Sequence, residues 1–224
     1  MGYSDTSVAL KSSGELWTWG YGYRGNLGNE TINDTSSPVL VVGNHVFVEV
    51  SAALHVIARK SDGSIWTWGN NDAGQLGVQT KVNKSSPVLV VGSHSFVEIS
   101  AGYRQVLARK VDGSVWTWGE NIYGQLGDET TTSRSSPVLV VGSHSFVEIS
   151  AGNYYVTARK VDGSVWAWGS NIYGQLGDQT TADRSSPVLV VGNHVFATLR
   201  KLLEAAAGLS ISVSDALAFA EALD

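Results

Sequence analysis

One unit of about fifty residues is written four times along this chain. Its W-x-W pairs begin at Trp17, Trp66, Trp116 and Trp166, its recurring S-S-P segments carry Pro38, Pro87, Pro137 and Pro187, and both series step by 49, 50 and 50 residues. Self-similarity at that period belongs to propeller blades, solenoid turns or arrays, in which each unit buries its apolar faces only against its neighbours. Every shorter motif has to be read inside that repeat.

Within a copy, FVEISAG, YVTARK, SVWAWG and VLVV are short, rich in Val, Ile and aromatics, and separated by turn signals, so they read as four strands. Helical periodicity is missing from the repeats. Lys-Val-Asp-Gly at 110–113 and 160–163 and Lys-Ser-Asp-Gly at 60–63 put Asp-Gly between the second and third strands, which makes those two antiparallel neighbours. Trp at i and i+2 places both indoles on one face of the third strand, each with about 150–250 Å² to bury. Val115 and Val165 point the other way, so both faces of the strand are apolar, as in a sheet sandwiched between two others.

The expected fold class is therefore an all-β repeat protein of four four-stranded propeller-type blades, as an open arc or an assembled ring, with a short α-helical C-terminal tail. The repeats occupy 1–196, as approximately 1–47, 48–96, 97–146 and 147–196, and the tail occupies 197–224. MGYSDTSVALK aligns with the region of YVTARK, so the first blade lacks its inner strand. HVFATLR stands where HSFVEIS is expected, with Phe196 and Leu199 matching Phe146 and Ile149, and could supply that strand. Closure inside one chain gives four blades, and exchange between two chains gives eight; either removes an exposed sheet edge. Against this, ATLRKLLEAAAG ended by Gly208 and SDALAFAEALD from Ser214 read as helices. A helical hairpin over 197–224 would pack Leu199, Leu202, Leu203, Leu217, Phe219 and Leu223 on the blades or on another subunit. Helix is favoured from about Arg200, with Val195 to Leu199 contested.

The combination D-G-S-V-W-x-W-G, N-x-x-G-Q-L-G and S-S-P-V-x-V over residues 3–199 resembles the repeat of the regulator of chromosome condensation family. That resemblance implies a β-propeller of four-stranded blades. The family usually carries seven repeats where this chain has four, and the His often found ahead of its second strand survives only as His55. Seven-repeat relatives imply a rotation per blade too small for four copies to close, so an open or strand-exchanged arrangement is favoured.

Chemistry is scarce in the repeated positions. Gly20, Gly22 and Gly25 spell G-x-G-x-x-G, but no helix follows, and Asn71, Asn121 and Asn171 replace Gly22 in the other copies. Gly and Asn both tolerate positive φ, so that position is expected to be a left-handed turn. His45, His94, His144 and His194 share one repeat position, where a packing role is favoured over a ring of metal ligands. Glu49, Glu98 and Glu148 recur on the inner strand and Arg59, Arg109 and Arg159 opposite them, which suggests structural ion pairs; Thr198 breaks the Glu series. The chain has no cysteine, a formal net charge of −5 and no Lys/Arg cluster. No disulfide, thiol nucleophile, metal or cofactor is expected, nor nucleic acid or membrane as partner. No basic segment leads into an apolar one, so the default compartment is cytoplasmic.

Function is then sought where the copies differ. Those positions are the hairpin after W-x-W-G, with Tyr21, Tyr23, Arg24, Asp72, Tyr123 and Tyr173, and the turn before the second strand, with His55, Tyr103, Arg104, Tyr154 and Tyr155. Tyr and Arg on loops anchor protein contacts at low entropic cost. The expectation is a non-catalytic interaction or scaffold module that binds a protein partner through these loops, with self-association through blade edges or the C-terminal helices. The family resemblance adds two alternatives, guanine nucleotide exchange on a small GTPase and propeller-type enzyme inhibition.

Overall fold

The computed structural model describes residues 5–192 together with 195 and 196. The first blade is β1 (Thr6–Leu10), β2 (Leu16–Gly20) and β3 (Thr35–Leu40), and the second is β4 (Glu49–Ala52), β5 (His55–Arg59), β6 (Ile65–Gly69) and β7 (Lys84–Leu89). The third is β8 (Glu98–Ala101), β9 (Gln105–Arg109), β10 (Val115–Gly119) and β11 (Arg134–Leu139). The fourth is β12 (Glu148–Ala151), β13 (Tyr155–Arg159), β14 (Val165–Gly169) and β15 (Arg184–Leu189). Each sheet is antiparallel in chain order, and among the described residues the first has three strands, without an inner one. The expected all-β blades are present. The helical tail expected over 197–224 lies outside the described residues, as does most of the contested segment before it.

Asp-Gly makes the second hairpin as expected. The Lys60 N–H donates to the Ser64 carbonyl at 3.0 Å and the Gly63 N–H to the Lys60 carbonyl at 3.0 Å, with Gly63 at φ 84°. Asp62 fixes the bend by accepting from the Ser64 N–H at 2.9 Å and its hydroxyl at 2.7 Å. After this turn the Trp-bearing strand runs back along its partner in register, Trp68 opposite Val56 and Trp66 opposite Ala58.

The core is built between blades. One cluster joins Ile57, Ile65 and Val90 of the second blade to Phe96, Ile99, Val106, Ala108 and Trp118. Another joins Leu107, Val115 and Val140 of the third to Phe146, Ile149, Val156, Ala158 and Trp168. Eight Trp were expected in the core. Trp68, Trp118 and Trp168 are fully buried, whereas the first Trp of every pair and Trp19 are half-buried. The outer indoles of Trp66, Trp116 and Trp166 lie instead under Lys60, Lys110 and Lys160, at 4.7, 4.7 and 4.3 Å.

The Glu and Arg series pair as expected within each blade: Arg59 to Glu49 at 2.7 Å, Arg109 to Glu98 at 2.6 Å and Arg159 to Glu148 at 3.1 Å. Inner strands meet along the axis, and no strand of the fourth blade touches the first, so the described residues form an open arc.

One expectation is corrected. The position shared by Gly22, Asn71, Asn121 and Asn171 is not left-handed; positive φ falls on Glu30, Gln79, Glu129 and Gln179 and on neighbouring glycines. Asn serves there through its side chain. Asn121 is fully buried, its amide donates to the Thr130 carbonyl and Asp128 at 3.0 Å and to the Thr132 carbonyl at 3.2 Å, and its oxygen accepts the Leu126 N–H at 2.9 Å. In every copy the N–H at this position also donates to the side chain twelve residues on, Asp34, Asn83, Ser133 or Asp183, at 2.8, 2.7, 3.2 and 2.7 Å, and the Asn amide adds a second staple to the long loop. Asn121→Ala strands those buried groups and is expected to cost about 2–4 kcal/mol. Urea unfolding checks this, with Ile122→Ala on the same loop, exposed at 56%, expected near neutral.

Candidate protein-binding rim

The loops that vary between copies emerge at one end of the arc, where inner strands turn into second strands and third strands end. Gly119 ends β10 opposite Gln105, which starts β9, so Tyr103–Arg104 and Glu120–Tyr123 leave the sheet side by side. The fourth blade repeats this, with Tyr155 opposite Gly169.

The third and fourth blades assemble an aromatic cluster there. Tyr154 lies edge-on to Tyr103 at 5.5 Å and to Tyr123 at 5.3 Å between ring centres. The Arg104 guanidinium stands 5.5 Å over the Tyr103 ring and 3.6 Å from Glu120. Its buried Nε has no hydrogen-bond partner among the described residues. Burial pushes the Glu120 carboxyl up from its usual range, with Arg104 opposing. Burial and then the Glu120 charge also raise the Tyr154 phenol, which keeps it neutral. The surface is thus partly dry, with three rings and one incompletely satisfied cation.

The cluster continues toward the first blade. Arg24 pairs with Asp72, and the Asn70 amide donates to Asp72 at 3.2 Å. The hydrogen bond from Arg24 holds the Asp72 carboxyl below its usual range, with Arg104 adding a weaker pull in the same direction. Tyr21 and Tyr23 sit 6.1 Å apart, exposed at 39% and 59% beside Ile32 and Asp34. Tyr173 is exposed at 87%.

One candidate leaves this surface. His55 is fully exposed nowhere: it is sealed at 0%, both ring nitrogens lack partners, and burial drives its pKa down to about 3. Its counterpart Gln105 is equally buried and donates across the joint to the Gly152 carbonyl at 3.0 Å. Tyr155, in the same repeat position, turns its ring against Gly152. At Gln105 the position faces the next blade, a fact hidden in a single repeat's pattern. Glu120 was missed, since only the fold sets it beside Arg104.

The His series packs, as favoured. His45, His94 and His144 lie 4.2, 4.3 and 4.3 Å from Trp66, Trp116 and Trp166, and burial lowers each pKa. His194 falls outside the described residues, among which no group of three His, Cys, Asp or Glu could hold a metal ion. No helix among them is long and apolar enough to cross a membrane. The Gly20–Gly22–Gly25 triplet has no room for a phosphate, since Gly20 and Gly22 press on the Asp5 and Asn33 carbonyls.

A model of the regulator of chromosome condensation (RCC1) repeat matches residues 13–55, 62–109, 112–159 and 162–214, and a second model of that repeat matches 96–125 and 146–175. No curated protein matches the chain by sequence. Among solved structures, human WBSCR16 is 24% identical with a TM-score of 0.79, over 88% of this chain and 53% of that one. Yeast RCC1 (Prp20) bound to Kap60 is 20% identical with a TM-score of 0.75, over 85% and 47%. Prp20p of Saccharomyces cerevisiae, described with its binding to Gsp1p and histones, gives 20% and 0.74, over 85% and 49%. The chain spans about half the length of these relatives, and at such identities the likeness is one of fold.

Because His55 is held neutral in the fold and has an ordinary pKa of 6.5 when unfolded, the unfolded chain binds the extra proton between those values. Its contribution is complete above pH 6.5 and is lost as pH falls, by about 1.4 kcal/mol per unit. Urea midpoints taken from pH 7 to 4.5 should fall steeply, and His55→Gln, which copies Gln105, should flatten that slope.

Proposed function

The chain belongs to the regulator of chromosome condensation repeat family, and we propose that it serves as a non-catalytic interaction module whose loop rim binds a protein partner. The observation that carries this reading is the Tyr103–Arg104–Tyr123–Tyr154 cluster. The Glu–Arg pairs and the inner indoles are repeated and satisfied in the scaffold, whereas Tyr103, Arg104 and Tyr154 differ from copy to copy, with Tyr123 recurring only as Tyr173. Repeat scaffolds recognise partners through such variable positions on a constant frame.

Solved relatives bear on the partner's class. Prp20 is described as bound to Kap60 and as binding Gsp1p and histones, all proteins. A protein partner for this chain accords with them, without naming the same one. The rim favours a partner that offers an apolar or acidic anchor to Arg104 and the three Tyr, since Arg and Tyr gain most where they are desolvated.

The test compares capture of binding proteins by the full chain and by a Tyr103→Ser, Arg104→Glu, Tyr154→Ser variant that keeps the native circular dichroism. Loss of the captured partner, by about a hundredfold in affinity, is expected for hot-spot residues. Undiminished capture would remove the rim from the account, and substrate turnover abolished by a change at one repeat would replace the non-catalytic reading.

A further inference from the structure

The loop joining β2 to β3 carries a set of residues that no other copy repeats. Tyr21 stands where Asn70, Glu120 and Ser170 stand elsewhere, Tyr23 where Asp72, Ile122 and Ile172 stand, and Ile32 where Lys81, Thr131 and Thr181 stand.

Two hydrogen bonds fold this loop back on itself. The Gly22 N–H donates to the Asp34 carboxylate at 2.8 Å, and the Gly25 N–H to the Gly22 carbonyl at 2.7 Å. Gly22 lies directly against the Asn33 carbonyl, where a side chain would collide, so the 32–34 segment comes up to the two tyrosines that flank the glycine. Between them is an open hollow of about 380 Å³, lined by Tyr21, Tyr23, Ile32, Asn33 and Asp34. Its two rings stand 6.1 Å apart with their planes tilted by 43°, so neither lies flat on the other and both line the space. Openness here belongs to the loop position in every blade: Val82, in the place of Asn33, is exposed at 62%, and Ile122, in the place of Tyr23, at 56%.

Charge narrows what the hollow can hold. Of its five lining residues only Asp34 is ionised at neutral pH, and no Lys or Arg pairs with it among the described residues, since Arg24 on the same loop pairs with Asp72. Two aromatic faces attract a cation through the ring quadrupole, and the carboxylate adds to that attraction. A bare ammonium is a compact, strongly hydrated charge with N–H donors to satisfy. Methylation removes those donors and spreads an apolar surface over the same charge, which matches rings, an isoleucine and one carboxylate together. We infer that this hollow binds a methylated ammonium group, of the kind carried by trimethyllysine or by choline. The inference does not depend on the Tyr103 cluster.

NMR titration of the full chain tests it with a short peptide bearing trimethyllysine, the same peptide with unmodified lysine, choline, and the neutral analogue of choline in which carbon replaces nitrogen. The methylated peptide should bind about tenfold more tightly than the unmodified one, and choline more tightly than its neutral analogue by a similar factor. The tighter of the peptide and choline identifies the source of the group. Tyr23→Leu, at a side chain exposed at 59%, should weaken binding about tenfold, whereas Tyr23→Phe keeps the ring and should keep the affinity. Asp34→Asn removes the charge while retaining an acceptor for the Gly22 N–H, as Asn83 does for Asn71, and should also weaken binding. The Tyr103→Ser, Arg104→Glu, Tyr154→Ser variant should bind these probes as the wild type does, which separates failure of this site from failure of the rim. Equal affinity for the two peptides, for choline and its neutral analogue, or for wild type and Tyr23→Leu overturns the inference, and so does the absence of binding by both methylated probes at millimolar concentration.

Discussion

An indole packed against a glycine holds the blades together. At Gly77 and Gly127 a side chain would meet Trp118 and Trp168 at 2.8 Å, and the positive φ of 66° at both is backbone that L side chains rarely adopt. Glycine therefore satisfies two demands at once, the turn and the seat. The indole N–H finds a backbone acceptor there, so a large apolar ring is buried without stranding its polar atom. Around this contact the Ile57, Leu107 and Phe146 side chains close the clusters that span neighbouring blades. A single blade has two apolar faces and no core of its own, and the structure is stable only as a stack.

The joint also decides what the surface can display. Since the inner strands and the Glu–Arg pairs are satisfied within and between blades, the scaffold positions are chemically spent. The end of the arc where second strands begin is left to vary. Tyr103, Tyr123 and Tyr154 come from three loops and two blades, and only the fixed rotation between sheets brings their rings within 5.5 Å. On the proposed reading, recognition by this surface follows from its shape and its few desolvated groups, with Arg104 and Glu120 setting its polarity.

Much of this was legible in the chain. The 49–50 residue period, the Asp-Gly hairpins and the alternation around W-x-W give strands, order and sheet stacking, because each is local or strictly repeated. The Glu and Arg series could be paired from their spacing alone. Asn71, Asn121 and Asn171 were harder: their kinship with Gly22 suggested backbone freedom, whereas the side-chain amide is what the loop uses. His55 belonged by position to a variable loop, and only the neighbouring blade makes that position interior. The contacts between loops of different blades are set by rotation about an axis, which no single repeat encodes.

The indole N–H exchange rates of the eight tryptophans, followed by NMR, test the account of the joint most directly. Trp68, Trp118 and Trp168, hydrogen-bonded across sealed joints, should exchange as slowly as the most protected backbone amides, while Trp66, Trp116 and Trp166 in the outer row exchange much faster. Equal rates for Trp116 and Trp118 would contradict it, because the joint between the second and third blades would then be open in solution.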